Sequence, residues 1–335
     1  MEPQHTTGGK YLLTEDLGEK VSAFRQVGLV TPSPSDELFE SLQDRLAAAL
    51  QTAIGASNAV VRVKMRDLSD EIISAIAHTW GNDVLVVSTC PEIGQPTKGT
   101  TIEVNRLVDK LGNALGLGPR PGYGPLKEQF YAVVHEARSN DQRIVIAEDG
   151  VFKGETMRYV VNGIQDVGGD VAGVMTGFTF SRASVDEIAD HGVKVDVIHD
   201  FGAILDWVPD HDFLPFTPGS GKVLGTAIGD RLYPFYDHLH STFSMSYIAP
   251  FAPVEQWASI PPANINSFST TCIGLAIELF TELERINKRK IVVGDIVESR
   301  QRVSIPVSLD HEDTYNGPGL PGRDSRVITF LSECL

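Results

Sequence analysis

Between residues 59 and 207 the chain alternates short apolar runs with stretches of helical period, and this alternation constrains the fold more than any other feature. Residues 59–65, 83–88, 143–147, 171–178 and 193–198 read as strands. Residues 68–80, 101–115, 126–138, a stretch ending near Val167, 183–190 and a short segment at 201–207 read as helices. Asp83-Val84-Leu85-Val86-Val87-Ser88 is apolar at consecutive rather than alternate positions, as a strand covered on both faces requires. Strand and helix in turn predict βαβ units around a parallel sheet, hence an α/β, Rossmann-like fold with ligands at the carboxyl ends of the strands.

The flanks have a different texture. Residues 1–55 form a helical lead: a breaker cluster at Thr31-Pro32-Ser33-Pro34, Ser35 as the expected N-cap, and Leu38, Leu42, Leu46 and Leu50 on one helical stripe over 36–54. Residues 56–208 form the expected core, and 209–335 an extension rich in Pro, Gly and aromatics. That extension carries one clear helix at 269–286, a strand at 291–293 and a loop-like tail at 310–323. Twenty-eight basic against 44 acidic side chains, a formal charge of -16, exclude a nucleic-acid scaffold, which needs excess Lys and Arg. The polar N-terminus lacks the apolar stretch of a signal peptide, and no apolar run reaches membrane-spanning length. Cys90, Cys272 and Cys334 are too dispersed for a disulfide framework or a metal-binding pair. The expectation is a cytoplasmic protein with no membrane partner.

One segment carries chemistry: Ile144-Val145-Ile146-Ala147-Glu148-Asp149-Gly150-Val151-Phe152-Lys153-Gly154-Glu155-Thr156-Met157. A buried strand leads into two carboxylates, a short Gly-containing loop, a hydroxyl residue and a helix. Amides at a helix N-terminus favour an anion, so residues 150–156 suit a phosphate. Glu148 and Asp149 suit two vicinal hydroxyls or a neighbouring magnesium ion. One loop would then hold both ends of a ribose 5-phosphate.

This segment resembles the phosphoribosyl pyrophosphate signature of the type I phosphoribosyltransferases. Glu148-Asp149 match the acidic pair, and Gly154 and Thr156 match the loop. The resemblance implies a parallel sheet of that kind and a magnesium-dependent transfer of ribose 5-phosphate to an acceptor, with release of pyrophosphate. It assigns Glu148 and Asp149 to catalysis, with magnesium held through the ligand beside them. It assigns Gly150, Val151, Phe152, Lys153, Gly154, Glu155 and Thr156 to the 5-phosphate, and Thr89, Lys98 and Gly99 to pyrophosphate. The 116–125 stretch falls where the family has a mobile catalytic loop, with Arg120 at its border, and the implied assembly is a homodimer. Two departures stand out. Phe152 replaces the Asp that purine-salvage members offer as a general base, so the acceptor is unidentified. Lys153 and Glu155 replace small or hydroxyl residues.

Two alternatives remain open at this stage. One is a non-catalytic protein that senses phosphoribosyl pyrophosphate or a nucleotide. The other is a metal-dependent hydrolase built on Asp210-His211-Asp212 and Asp237-His238-Leu239-His240. Phe216-Thr217-Pro218-Gly219-Ser220-Gly221-Lys222 fails as a P-loop, because Val223 stands where Ser or Thr is needed, and it reads as turn chemistry. His199-Asp200-Phe201 sits at a strand end, where it either faces the ligand crevice or caps a helix through Asp200. Tyr233, Phe235, Tyr236, Phe243 and Tyr247 read as core or dimer interface.

Overall fold

The computed structural model describes residues 8–94, 100–236, 241–296, 302–305 and 321–335. In chain order the elements are β1 (Lys10–Glu15), α1 (Leu17–Ser22), α2 (Glu37–Ile54), β2 (Ala59–Lys64), α3 (Met65–Trp80), β3 (Val84–Ser88), β4 (Thr100–Thr101), β5 (Val104–Val108) and β6 (Ala114–Pro119). Next come α4 (Leu126–Ser139), β7 (Arg143–Val151), α5 (Glu155–Asp166), β8 (Val171–Thr179), α6 (Arg182–Ala189), β9 (Lys194–Asp200) and β10 (Asp206–Pro209). The remainder is β11 (Lys222–Ile228), β12 (Arg231–Pro234), β13 (Thr242–Met245), α7 (Val254–Ala258), α8 (Ile265–Asn287), α9 (Val293–Ile296), β14 (Arg302–Ser304) and α10 (Val327–Glu333). No helix among the described residues is long and apolar enough to cross a membrane.

These elements form two compact units. The first comprises residues 63–105 and 117–204. Its sheet has the order β4-β3-β7-β8-β9, and every adjacent pair is parallel. The apolar runs form the central strands for the expected reason: Ile144, Val145, Ile146 and Ala147 of β7 are all fully buried, and every residue of β8 is buried. Val133 of α4 and Val160, Val161 and Ile164 of α5 join Leu85, Val87, Ile144, Ile146 and Val174 in one apolar cluster. Each such side chain contributes about 1.5–3 kcal/mol on leaving water.

Gly150 lies opposite Phe178 in the β7–β8 ladder. A Cβ placed there would stand 1.9 Å from Phe178 Cε2, and Phe178 is fully buried. Gly150→Ala is therefore expected to lower unfolding free energy by about 1–3 kcal/mol, because a packed ring must be displaced. Chemical denaturation at equilibrium measures this, and an unchanged midpoint would show that the ring gives way freely.

The second unit comprises residues 1–62, 106–116 and 205–335. One of its sheets has the order β10-β1-β2, with β1 and β10 parallel. The other has the order β14-β13-β11-β5-β6, with β12 added on β11, and it is mixed: β11 runs parallel to β5 and antiparallel to β12 and β13. Its core gathers Tyr11, Leu13 and Phe24 with Phe39, Leu42, Leu46 and Leu50 of α2 and Phe268, Leu279, Phe280 and Leu283 of α8. The helical lead and the C-terminal residues share this core, whereas the sequence divides the chain into 1–55, 56–208 and 209–335.

Several local expectations are corrected. Residues 101–115 are not a helix: Val104, Leu107 and Val108 have helical spacing, but they lie on β5. The Asp109 carboxylate then accepts from the amides of Leu111 and Asn113, both at 2.8 Å, and closes a turn. Residues 201–207 are not a short helix, because 206–209 pair as β10 with the distant β1. The strand expected at 291–293 is only an isolated bridge from Val292 to Arg326, and Val293 begins the helical turn α9. Asp36, not Ser35, caps α2 by accepting from the Leu38 amide at 3.0 Å. The expected tail at 310–323 falls largely outside the described residues.

Candidate functional site

The register of β3 against β7 runs from Val84 opposite Arg143 to Ser88 opposite Ala147, so the two strands run side by side to the end of β3. Thr89, the first residue beyond β3, therefore lies against the acidic pair. Its amide donates to the Ala147 carbonyl at 3.1 Å, and its hydroxyl donates to the Glu148 carboxylate. β7 itself continues to Val151, four residues past the apolar run, because Gly150 and Val151 still pair with Phe178 and Thr179 of β8. Glu148 and Asp149 are thus fixed in a strand rather than in a turn. Both are partly exposed.

Asp149 accepts from the Gly150 amide at 2.7 Å, and the Cys90 thiol points at its other oxygen at 3.5 Å. Burial pushes the Asp149 carboxyl up to about 6, and the charge of Glu92 adds to the shift. The Gly150 amide, the Cys90 thiol and Arg120 oppose it without cancelling it. The same sulfur lies 3.2 Å from Glu92, so the one thiol proton serves both carboxylates.

Arg120 follows directly on a strand, and its backbone and side chain are both tied to neighbouring residues. Residues 114–119 are β6, the Arg120 amide donates to the Glu103 carbonyl at 2.8 Å, and its Nη2 donates to the Thr89 carbonyl at 3.2 Å. Its Nε lies 3.3 Å from the buried Glu103 carboxylate. The guanidinium is therefore an anchor that ties Glu103 to the end of β3.

The loop after β7 ends at Gly154, whose φ of +71° is the left-handed conformation that glycine adopts without strain. A Cβ there would sit 3.1 Å from the Ser184 carbonyl oxygen. Gly154 is the N-cap of α5 and offers no side chain to the first-turn amides, which leaves them for an external anion. Ser184 braces the loop by donating to the Phe152 carbonyl at 3.0 Å. Val151 and Gly154 are buried, Thr156 is half-buried, and Phe152, Lys153 and Glu155 are exposed. An exposed Glu155 can turn its charge to solvent rather than toward a phosphate.

The structure thus brings Thr89, Arg120, Glu148 and Asp149 together and places residues 150–156 directly after them. Lys98 and Gly99 lie outside the described residues. The sequence alone does not single out Cys90, Glu92 or Glu103. The available signal for the first two is their place just beyond a strand adjacent to the acidic one, and nothing local marks Glu103.

At the far strand ends, His199 Nε2 lies 2.7 Å from Glu71, and Asp200 pairs with Arg182 at 2.8 Å instead of capping a helix.

In the second unit, Asp210 and His211 do converge with a third group, Asp16. The ligating atoms are already engaged, however. Asp210 accepts from the amides of Asp16 and Leu17 and from Gln43, and His211 Nδ1 lies 2.6 Å from Asp16. The Lys20 ammonium, 3.8 Å from Asp16, repels a cation. Asp237, His238 and His240 lie outside the described residues. Residues 216–221 form a turn with positive φ at Phe216, Gly219 and Gly221, and Lys222 packs its ammonium over the Trp257 ring at 3.9 Å. Phe235 stacks on Phe243 in the same unit.

No protein-family model and no curated protein matches this chain. Among solved structures it is similar to orotate phosphoribosyltransferase of Mycobacterium tuberculosis in complex with 5-phospho-α-D-ribosyl 1-diphosphate, at 16% identity over 56% of this chain and 89% of that one, with a TM-score of 0.25. Adenine phosphoribosyltransferase of Thermoanaerobacter pseudethanolicus shows 14% identity over 41% of this chain and 80% of that one, with a TM-score of 0.27. UMP synthase of Leishmania donovani shows 14% identity over 41% of this chain, with a TM-score of 0.26, and the match spans only 27% of that protein's length. Scores and identities this low carry no functional weight, so the functional reading rests on the chain's own residues.

Proposed function

We propose that the chain binds phosphoribosyl pyrophosphate at the ends of β3 and β7 and transfers its ribose 5-phosphate to an acceptor, releasing pyrophosphate. The observation that supports this most is the sequence of chemistry along one strand: two carboxylates at the carboxyl end of a parallel strand, then a left-handed Gly154 and the uncapped N-terminus of α5. Glu148 and Asp149 accept hydrogen bonds from the two ribose hydroxyls and orient the sugar. The loop amides, Lys153 and Thr156 take the 5-phosphate. Arg120 holds the Thr89 carbonyl and its neighbouring carboxylates in place.

Glu148, Asp149 and Glu92 are hard oxygen donors of the kind magnesium takes, and they would hold it beside the ligand. Bound there, magnesium supplies neutralisation of the pyrophosphate leaving group. A cytoplasmic homodimer belongs to the same proposal.

The test is turnover. The full chain is incubated with phosphoribosyl pyrophosphate, magnesium and a panel of acceptors, and pyrophosphate release is measured. Release supports the transferase. Binding without release supports the sensor, which the exposed Phe152 favours because it removes a carboxylate from the loop. Tight transition metal in the purified protein, read by elemental analysis, would point to the hydrolase instead.

A pH dependence follows from Asp149. Its carboxyl is ionised above about 6 and protonated below. A protonated acid accepts ribose hydroxyls poorly, so affinity is expected to fall by at most about tenfold per pH unit below that point. Calorimetric titration from pH 5 to 8 should show this limb, and Asp149→Asn should abolish it. A wild-type affinity flat across that range would remove Asp149 from the ligand.

A further inference from the structure

In the second unit β11 and β5 run parallel with Val223 opposite Leu107, and this register sets Lys222 beside Arg106. Like charges on neighbouring strands repel. Neither cation makes a hydrogen bond or ion pair among the described residues, in a chain with 44 acidic side chains to offer. The nearby carboxylates are bonded elsewhere: Asp212 accepts from the Gly221 amide at 2.7 Å, and Asp206 from the Ser259 hydroxyl at 2.7 Å. A half-buried ammonium ordinarily has such an oxygen for itself.

Lys222 rests on rings instead. Its Nζ lies 3.9 Å from the Trp257 ring centroid and 5.2 Å from that of Tyr247, and the two rings are 5.3 Å apart. Trp257 is buried and Lys222 half-buried, so the amine is partly stripped of water yet still open to it. Burial pushes the Lys222 ammonium down to about 8, and repulsion from Arg106 adds to the shift, while Asp212 and Asp206 oppose it. A lysine desolvated against apolar surface and set beside a second cation is an activated nucleophile, because part of it is free amine near neutral pH. The rings also favour a cation over their faces, and the iminium that an amine forms with a carbonyl group is such a cation.

We propose that Lys222 is a reactive amine that forms an imine with a small carbonyl compound bearing an acid group, whose carboxylate pairs with Arg106. The nitrogen lone pair adds to the carbonyl carbon, and both amine protons leave with the carbonyl oxygen as water. The resulting C=N bond takes one proton from solvent and rests as an iminium over Trp257. No oxidant or reductant enters this step. A carboxylate between Arg106 and the iminium would replace the repulsion of two cations with two attractions. The inference stands apart from the phosphoribosyl reading, since every residue it uses belongs to the second unit.

The test treats the full chain with glyoxylate as the acidic carbonyl probe or propanal as the neutral one. Cyanoborohydride, added with either, fixes the imine as a secondary amine, and peptide mass spectrometry reads the rate at each lysine. At pH 7.5 Lys222 is about a quarter free amine, against about one part in a thousand for an ordinary lysine, so it is expected to react at least about tenfold faster than the others. Urea-unfolded protein should lose that advantage. Relative to the other lysines, glyoxylate should favour Lys222 more than propanal does. Arg106 is exposed, so Arg106→Gln spares the core. It should move the pH midpoint of Lys222 labelling up by about one unit and erase the preference for glyoxylate. Lys222 labelled no faster than the other lysines would overturn the reactive amine, as would an advantage that survives unfolding. Fast labelling without a preference for glyoxylate, or with one that Arg106→Gln leaves unchanged, would overturn the acid-bearing ligand.

Discussion

Replacing Glu148 with Gln and Asp149 with Asn together is expected to weaken phosphoribosyl pyrophosphate binding by about two to four orders of magnitude. Each ionised acceptor contributes about 1.5–3 kcal/mol to a hydrogen bond it makes, and two lost together amount to about 3–6 kcal/mol. The isosteric replacements keep the local bonds. The amide oxygen of a glutamine at position 148 would still accept from Thr89, and that of an asparagine at position 149 from the Gly150 amide. Stability should move the other way. The Asp149 carboxyl is held above its ordinary value, so its favourable contribution to folding is present below about pH 3.8 and is lost as pH rises through about 6. At pH 7.5 the ionised group costs folding free energy, and a neutral Asn removes that cost. A melting temperature that rises while affinity falls marks a carboxylate kept for a ligand rather than for the fold. Unchanged affinity in the double variant, measured by calorimetry, would end the motif reading.

How much of this is legible in the sequence depends on how local each cause is. The runs at 84–88, 144–147 and 171–178 are apolar at consecutive positions, and the structure makes each a central parallel strand for that reason. The stripes of α2 and α8 announce themselves through period alone. The grammar of strand, acidic pair, glycine and helix is equally local, although α5 begins at Glu155, just before the hydroxyl residue expected to precede it. What escapes is set by distant partners. β1 and β10 pair across nearly two hundred residues, and neither run is apolar enough to declare itself a strand. Val104, Leu107 and Val108 carry a helical spacing that the Asp109 turn and the pairing of β5 with β11 override. Asp16 completes the Asp210–His211 group from the other end of the chain. The Gly and Pro around Arg120 suggest mobility, because the residue that pins it, Glu103, lies in a segment whose spacing is helical.

The pinning of Arg120 has a measurable consequence. Arg120→Met is expected to destabilise the protein by about 1–3 kcal/mol at pH 7.5, because the nearly buried Glu103 carboxylate would lose its half-buried cation. Burial works against the Arg120 charge, yet Glu103, Glu92, Cys90 and Glu148 together hold the guanidinium above its ordinary value. Methionine keeps most of the side-chain volume, so the loss would be electrostatic: the Glu103 carboxylate, only 8% exposed, would lose its cation while the charges of Glu92 and Glu148 stayed in place. One control follows. Glu103→Gln in the Arg120→Met background should restore at least half of the lost stability, because it removes the stranded charge rather than the cavity. A residue that merely closed over bound ligand would behave otherwise: its replacement would leave the denaturation midpoint in place and lower turnover alone. Equilibrium unfolding of Arg120→Met, of Glu103→Gln and of the double variant therefore distinguishes an anchor from a lid, and an Arg120→Met midpoint equal to wild type would return Arg120 to the mobile loop.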